Sequence, residues 1–283
     1  MSSSTQSSAA AAEDPAAGTE APLVLSELHD GGILRMTLNR GAKRNPLSMA
    51  MLDAIIADLE LAAEEPEVRV IVIAASAPGF CAGHDLKEMT AHRSDPDGGR
   101  AFYEALFARC SEMMQMIVNH PRVIIAEVNG IATAAGCQLV AACDMAMAGT
   151  NANFGVNGIN SGLFCSTPMV ALSRNIGRKR AIELLTTGGM LNAHEAMTAG
   201  LLNRIVYDKD LTKETMKLAA KVAARSQAVL ALGKRAFYQQ IEKPLDEAYA
   251  LTSKAIVDNM MMKDAREGIS AFLEKRTPKW SDE

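Results

Sequence analysis

Two short segments constrain this chain more than any others. They are Phe80-Cys81-Ala82-Gly83-His84-Asp85-Leu86-Lys87-Glu88 and Asn129-Gly130-Ile131-Ala132-Thr133-Ala134-Ala135-Gly136-Cys137-Gln138-Leu139. Each sets small residues directly behind an apolar, β-rich run and just ahead of a helical pattern. A backbone can turn sharply there and leave N–H groups unpaired, ready for an anion. Two such turns converging on one point would form an oxyanion hole.

The runs around these turns organise the rest of the chain. Val24–His29 and Ile33–Asn39 alternate as the strands of a hairpin, with Asp30-Gly31-Gly32 as its turn. A basic loop, Arg40 to Pro46, follows. Ser48 then reads as the N-cap of a helix with the stripe Met51, Leu52, Ile55, Ile56 and Leu59. Val68–Ala74 is a continuous β-branched run, as a strand buried on both faces should be. Residues 90–100 read as a polar loop with an exposed His92. Phe102–Asn119 is helical, with Met113, Met114 and Met116 as core filler. Val123–Val128 and Asp144–Ala148 read as further strands. Beyond Ser166 the pattern is helical apart from Leu202–Tyr207, with stripes at Leu211–Arg225, Ala228–Gln240 and Leu245–Met261. Strand-to-helix steps followed by a helical end predict an α/β core with a C-terminal helical region. The division expected is a disordered tail over 1–22, the core over 23–207 and the helical region over 208–283.

Composition narrows the function. A net charge of −4 argues against a nucleic-acid or anionic-membrane surface, and no apolar run approaches the length of a membrane span. Five cysteines without a CxxC pair do not form a disulfide framework. The first 22 residues are rich in Ser and Ala and hold no Lys or Arg, which fits neither a signal nor a transit peptide. On those grounds the chain is expected in the cytoplasm.

The two turns, with Cys143-Asp144, Phe154-Gly155, the Ala193–Leu202 segment and the tail Glu267–Arg276, resemble the enoyl-CoA hydratase/isomerase (crotonase) superfamily. The resemblance covers about residues 23 to 277. Gly83–Glu88 together with Leu163–Pro168 resemble one subgroup of it. The resemblance implies a crotonase-like spiral of ββα units with a C-terminal helical oligomerisation region, assembled as a homotrimer or dimer of trimers. It implies an acyl-CoA thioester as substrate or ligand and no further cofactor or metal. The oxyanion donors carry over to the backbone N–H groups of His84 and Ala135, within a binding segment of Ala82, Gly83, His84, Asp85, Leu86, Lys87, Ala135 and Gly136. Fixed N–H dipoles stabilise the charge that a thioester carbonyl gains, and one such donor is worth roughly 100- to 1000-fold in rate. Arg40, Lys43 and Arg44 fall where the CoA phosphates and adenine lie, and Lys275 and Arg276 where a neighbouring subunit's CoA would be. Charge pattern alone reads these cations equally well as a solvated face.

The usual proton handlers are replaced. Hydratases of this family divide the work between two Glu side chains, whose positions here hold Gln138 and Gly158. A third acidic position, used by dienoyl isomerases, is Ser166. An amide cannot exchange a proton near neutral pH, and loss of one general acid–base group costs roughly 10²–10⁴-fold. His84 has a suitable solution pKa. Asp85 reads as a turn-holding residue, Asp144 as a satisfied structural one, and Cys137 and Cys165 as small hydrophobes bracketing the acyl site. Asn157, Asn160 and Gln138 could orient a water or a polar acyl group. Three readings follow. One is an acyl-CoA enzyme with chemistry other than standard hydration, one a non-catalytic or regulatory acyl-CoA binder, and one an ordinary hydratase despite the missing carboxylates.

Overall fold

The Asp30–Gly32 turn joins β1 (Val24–His29) to β2 (Ile33–Leu38), which pair antiparallel in the computed structural model. This model describes residues 21–283, so the expected tail lies almost wholly outside the described residues. Ser48 caps α1 (Met49–Glu64) by accepting a hydrogen bond from the Met51 N–H, and the expected apolar stripe is fully buried. Burying those five side chains contributes about 1.5–3 kcal/mol each before the entropy of ordering the chain. β3 (Val70–Ala75) is buried at every position, which is why its sequence does not alternate.

The chain then runs through α2 (Leu86–Ala91), α3 (Arg100–Asn119) and β4 (Val123–Val128). Residues 92–99 are a hydrogen-bonded turn rather than a plain polar loop. His92 is half-buried, stacked on Phe102 at 3.7 Å and paired with Asp95 at 2.7 Å. β5 (Ile131–Thr133) leads into α4 (Ala135–Ala142), and β6 (Met145–Gly149) and β7 (Asn153–Gly155) follow. Then come α5 (Pro168–Asn175), α6 (Arg178–Thr187), β8 (Met190–Asn192), α7 (Ala193–Ala199) and β9 (Arg204–Val206). The chain ends in α8 (Leu211–Ala223), α9 (Gln227–Gln240), α10 (Leu245–Met261) and α11 (Lys263–Leu273).

The strands form two layers. The larger sheet has the order β1-β2-β3-β4-β6-β9, parallel beyond the first hairpin. The smaller has the order β5-β7-β8, and Cys81 extends it through a parallel bridge to Ala132. Each step of the chain therefore lays a long strand in one layer and a short extended segment in the next, then a helix. This is the expected spiral of ββα units. β8 was not expected, because the region beyond Ser166 reads as helical apart from Leu202–Tyr207.

The two faces of the larger sheet have separate cores. Ile71, Ile73, Ile124 and Ala126 pack with α1, α3 and α4, whereas Val70, Val72, Ile125 and Met147 pack against Leu211, Leu218 and Ala219 of α8. A boundary at 207/208 therefore separates α8 from the sheet whose second face it closes. α9 is anchored by a buried cluster. The Lys234 ammonium donates to Asp144 Oδ2 at 2.7 Å and to the carbonyls of Ile117 and Arg122, and the Tyr238 hydroxyl donates to Asp144 Oδ1 at 2.9 Å. Burial pushes the Asp144 carboxyl up and the Lys234 ammonium down, each opposed by the charge of the other. Asp144 is the satisfied structural residue expected of it.

Candidate functional site

The first signature turn is held on both sides by backbone. Leu47 and His84 form a parallel bridge, in which the Leu47 N–H donates to the Gly83 carbonyl at 2.8 Å and the Asp85 N–H donates to Leu47 O. In such a bridge the N–H of His84 points away from Leu47. On its other side the turn meets the second signature. The Thr133 N–H donates to Cys81 O at 2.9 Å, and the Thr133 hydroxyl donates to Ala82 O.

Glycine is required at two points of this junction. Gly83 has φ of +89°, and a methyl there would stand 3.0 Å from Ala134 Cβ and 3.3 Å from the Ala135 nitrogen. A methyl on Gly136 would stand 2.2 Å from the Cys81 carbonyl oxygen. The residue after Gly83 and the first residue of α4 are thus neighbours. Their N–H groups donate to no acceptor among the described residues. Ala134, the N-cap of α4, holds φ of 49° and ψ of −119°, a conformation an L-residue adopts only under strain.

The other expected site residues fall as follows. The His84 ring turns toward Leu47, with Nδ1 3.1 Å from Leu47 O, and lies edge-on to Phe107 at 5.3 Å. Burial holds its pKa below the ordinary histidine value, and Nε2 is buried without a partner. Its ring therefore leans to the side opposite its own N–H. Asp85 caps α2 by accepting from the Lys87 and Glu88 N–H groups, whereas Leu86 and Lys87 are exposed. Glu88 accepts from the Met49 N–H and is committed to the start of α1. Burial raises the thiols of Cys81 and Cys137 to about 12, and Cys165 upward as well, so these are inert packing groups.

Among the cations, Lys43 and Arg44 are exposed. The Arg40 guanidinium instead donates to the carbonyls of Ala21 and Pro22, at 2.7 and 3.1 Å. Lys275 stands exposed at the end of α11, and Arg276 makes a two-pronged pair with Glu267. Asn45 was not singled out in the sequence, yet its buried amide donates to the carbonyls of Ser76, Gly79 and Phe80 and accepts from the Arg40 N–H. It ties the basic loop to the first turn. Its φ is 49°, a left-handed region that Asn tolerates, and the Asn-Pro step in the basic loop is the only trace of this turn in the sequence.

Gln138 is 4% exposed, and its Oε1 has no partner. Gly158 has no room for a side chain. A Cβ there would stand 2.6 Å from the Leu163 carbonyl oxygen and 2.9 Å from Cys165 Sγ, so the 163–165 segment occupies that space. Ser166 is exposed, its hydroxyl turned back on the Phe164 carbonyl at 3.3 Å. Asn160 donates to Gly188 O at 3.3 Å. Phe107, whose ring lies edge-on to His84, lines a cleft of about 520 Å³ with Asp97, Arg100, Tyr103 and Glu104.

Comparison with known proteins supports the resemblance. Residues 29–283 match the family model described as enoyl-CoA hydratase/isomerase. The chain is 46% identical over 267 residues to the rat protein named enoyl-CoA hydratase domain-containing protein 3, mitochondrial, covering 94% of this chain and 87% of that protein. Its fold superposes on a crystal structure of an enoyl-CoA hydratase from Mycobacterium smegmatis with a TM-score of 0.87 and 50% identity, covering 92% and 99% of the two chains. It superposes on the human enoyl-CoA hydratase domain-containing protein 3 with a TM-score of 0.86 and 46% identity, covering 91% and 100%. The word mitochondrial in the name of such a near relative overturns the cytoplasmic expectation. That expectation rested only on what residues 1–22 lack, and those residues lie almost wholly outside the described structure. Among the described residues no helix is long and apolar enough to cross a membrane.

Proposed function

The chain belongs to the enoyl-CoA hydratase/isomerase family, which includes enoyl-CoA hydratases, and within it we propose that this member binds acyl-CoA thioesters without efficient hydration. The observation that carries this reading is a pair of neighbouring N–H groups, at His84 and Ala135, that donate to no acceptor among the described residues, in a chain with Gln138 and Gly158 at the positions the resemblance assigns to carboxylates. Both donors are main chain, one of them the first N–H of a helix, so they carry fixed partial positive charge toward a carbonyl oxygen. Polarising the carbonyl stabilises an enolate or a tetrahedral oxyanion. It does not activate water or protonate the α-carbon, and hydration needs both.

Among the described residues, the titratable side chains of the two turns are turned to other work or held neutral. His84 faces Leu47, Glu88 is bonded to the start of α1, and the thiols are held neutral by burial. The closure of the Gly158 space by Leu163 and Cys165 favours a site remodelled for binding, or for chemistry other than hydration, over an ordinary hydratase. Lys43 and Arg44 are the exposed cations suited to the CoA phosphates. The assembly proposed is a homotrimer or dimer of trimers formed through the C-terminal helices, which expose Leu245, Tyr249, Val257, Met261, Phe272 and Leu273.

The test is to titrate the protein with CoA and a series of acyl-CoA thioesters while assaying crotonyl-CoA hydration. The reading requires that thioesters bind and raise the melting temperature. It also requires hydration at least 100-fold below that of a two-carboxylate relative. Turnover at the relative's level, or no thioester binding, would overturn it.

A further inference from the structure

Two asparagines of this chain are followed by glycine, and the fold treats them differently. Asn129-Gly130 joins β4 to β5. A methyl on Gly130 would stand 2.5 Å from the Pro78 carbonyl oxygen, and the Gly130 carbonyl accepts from the Asn153 N–H at 3.1 Å. Asn157-Gly158 instead opens a five-residue 3-10 turn, Asn157–Ser161, in which no residue is buried. The Asn157 carboxamide is bonded to no group among the described residues, whereas that of Asn160 donates to Gly188 O at 3.3 Å. The Gly158 N–H donates to the Cys165 thiol, a weak acceptor.

We infer that Asn157 is a modification site, which deamidates spontaneously to aspartate and isoaspartate beside Gly158. The reaction needs only water and is independent of any thioester. The Gly158 nitrogen attacks Asn157 Cγ, and the C–N bond of the carboxamide breaks. The displaced nitrogen leaves as ammonia and carries off the Gly158 amide proton. Water then opens the cyclic imide at either carbonyl, giving aspartate or isoaspartate, so that overall a water is consumed and an ammonia released. Glycine favours the attack because it has no Cβ to stand in its path. The turn must open for the nitrogen to reach Cγ. A short turn without buried residues opens at low cost, while the Asn129 step is held between strands of both sheets. Either product brings a negative charge into residues 151–175, which contain no Asp or Glu. Isoaspartate also lengthens the main chain next to Gly158, where a Cβ would already stand 2.6 Å from the Leu163 carbonyl oxygen. That product must displace the 163–165 segment.

The experiment incubates the protein at pH 8, where the attacking amide loses its proton more readily, and maps timed digests by mass spectrometry. A parallel sample is unfolded in guanidinium chloride. In the native protein the peptide carrying Asn157 is expected to convert about 10-fold faster than the peptide carrying Asn129, because its turn opens more easily. In the unfolded sample the two should convert at similar rates. Asn157→Gln should remove the principal acidic species seen on isoelectric focusing, since glutamine would have to close a larger ring. An intact Asn157 in the native protein, equal or faster conversion of Asn129, or a principal acidic species that persists in the variant would each overturn the assignment. A preference for Asn157 that survives unfolding would overturn the role given to the fold.

Discussion

Gly83 lies against Ala134 with no room for a methyl group between them, since a Cβ at Gly83 would stand 3.0 Å from that of Ala134. The contact locks two turns that are 51 residues apart, and it makes neighbours of the amides that follow them. It also leaves Ala134 strained, at φ of 49°.

Relieving that strain should stabilise the protein. Ala134→Gly removes a cost of about 1–3 kcal/mol for an L-residue at positive φ, and gives back about 0.4–1 kcal/mol through the more flexible unfolded chain. A net gain of about 1 kcal/mol is expected as a higher urea midpoint with an unchanged m-value. A loss of stability would show that the Ala134 methyl packs better than its backbone suffers.

The closed space at Gly158 should make carboxylates introduced at positions 138 and 158 ineffective. Gly158→Ala should cost about 1–3 kcal/mol, because its Cβ meets the Leu163 carbonyl rather than a flexible side chain. The double change Gln138→Glu with Gly158→Glu should leave crotonyl-CoA hydration within about tenfold of wild type, less than one added acid–base group supplies. Steady-state assays of the purified variants check this, and a larger rise would show that the 163–165 segment yields.

Much of this was legible in the sequence, and what was not has a common cause. The hairpin, the Ser48 cap, the α1 stripe and the bounds of β4 follow from local pattern, where each side chain's burial depends on its own period. β8 is three residues long and is defined by pairing with β7, so no window of sequence reveals it. The blocked Gly158 depends on a loop five residues on, and the diversion of Arg40 on carbonyls 18 and 19 residues before it. In the candidate site the sequence shows two small-residue turns and the identities of Gln138 and Gly158, and the structure brings those turns into contact. The direction of the His84 ring could not be read from the sequence, because it is set by Leu47 and by Phe107 on α3.

Acid should weaken the fold through two buried histidines. Burial lowers the pKa of both His84 and His120 in the native state, whereas in the unfolded chain they titrate near 6.5. Below about pH 6.5 the unfolded state therefore binds more protons than the native one. Stability is full above that pH and falls as the pH drops, by up to about 1.4 kcal/mol per pH unit for each histidine. Urea unfolding at pH 7.5 and 5.5 measures it, and His84→Asn should make the fall shallower. Unchanged or higher stability at pH 5.5 would contradict the assignment.

The Lys234 anchor should matter more than any surface ion pair. Lys234→Met leaves the Asp144 carboxylate buried against Ile124 N and Tyr238 Oη with its counter-charge gone, at a cost of about 3–5 kcal/mol. Adding Asp144→Asn should recover part of that loss. Thermal unfolding of the single and double variants checks both statements. An additive double variant would show that the two residues act independently.

The apolar C-terminal face should be covered in solution by further copies of the chain. Sedimentation is expected to give the mass of a trimer or hexamer, and Tyr249→Asp together with Phe272→Asp should shift it toward the monomer. A monomeric wild type would contradict the proposed assembly.

The most direct test places an isotope label on the reacting carbonyl. Butyryl-CoA carrying ¹³C at the thioester carbon, bound to the protein, should show its carbonyl resonance displaced downfield and its stretching frequency lowered, as two N–H donors withdraw electron density from the oxygen. Both values unchanged from free butyryl-CoA, in a sample where binding is complete, would mean that the carbonyl does not rest between the amides of His84 and Ala135.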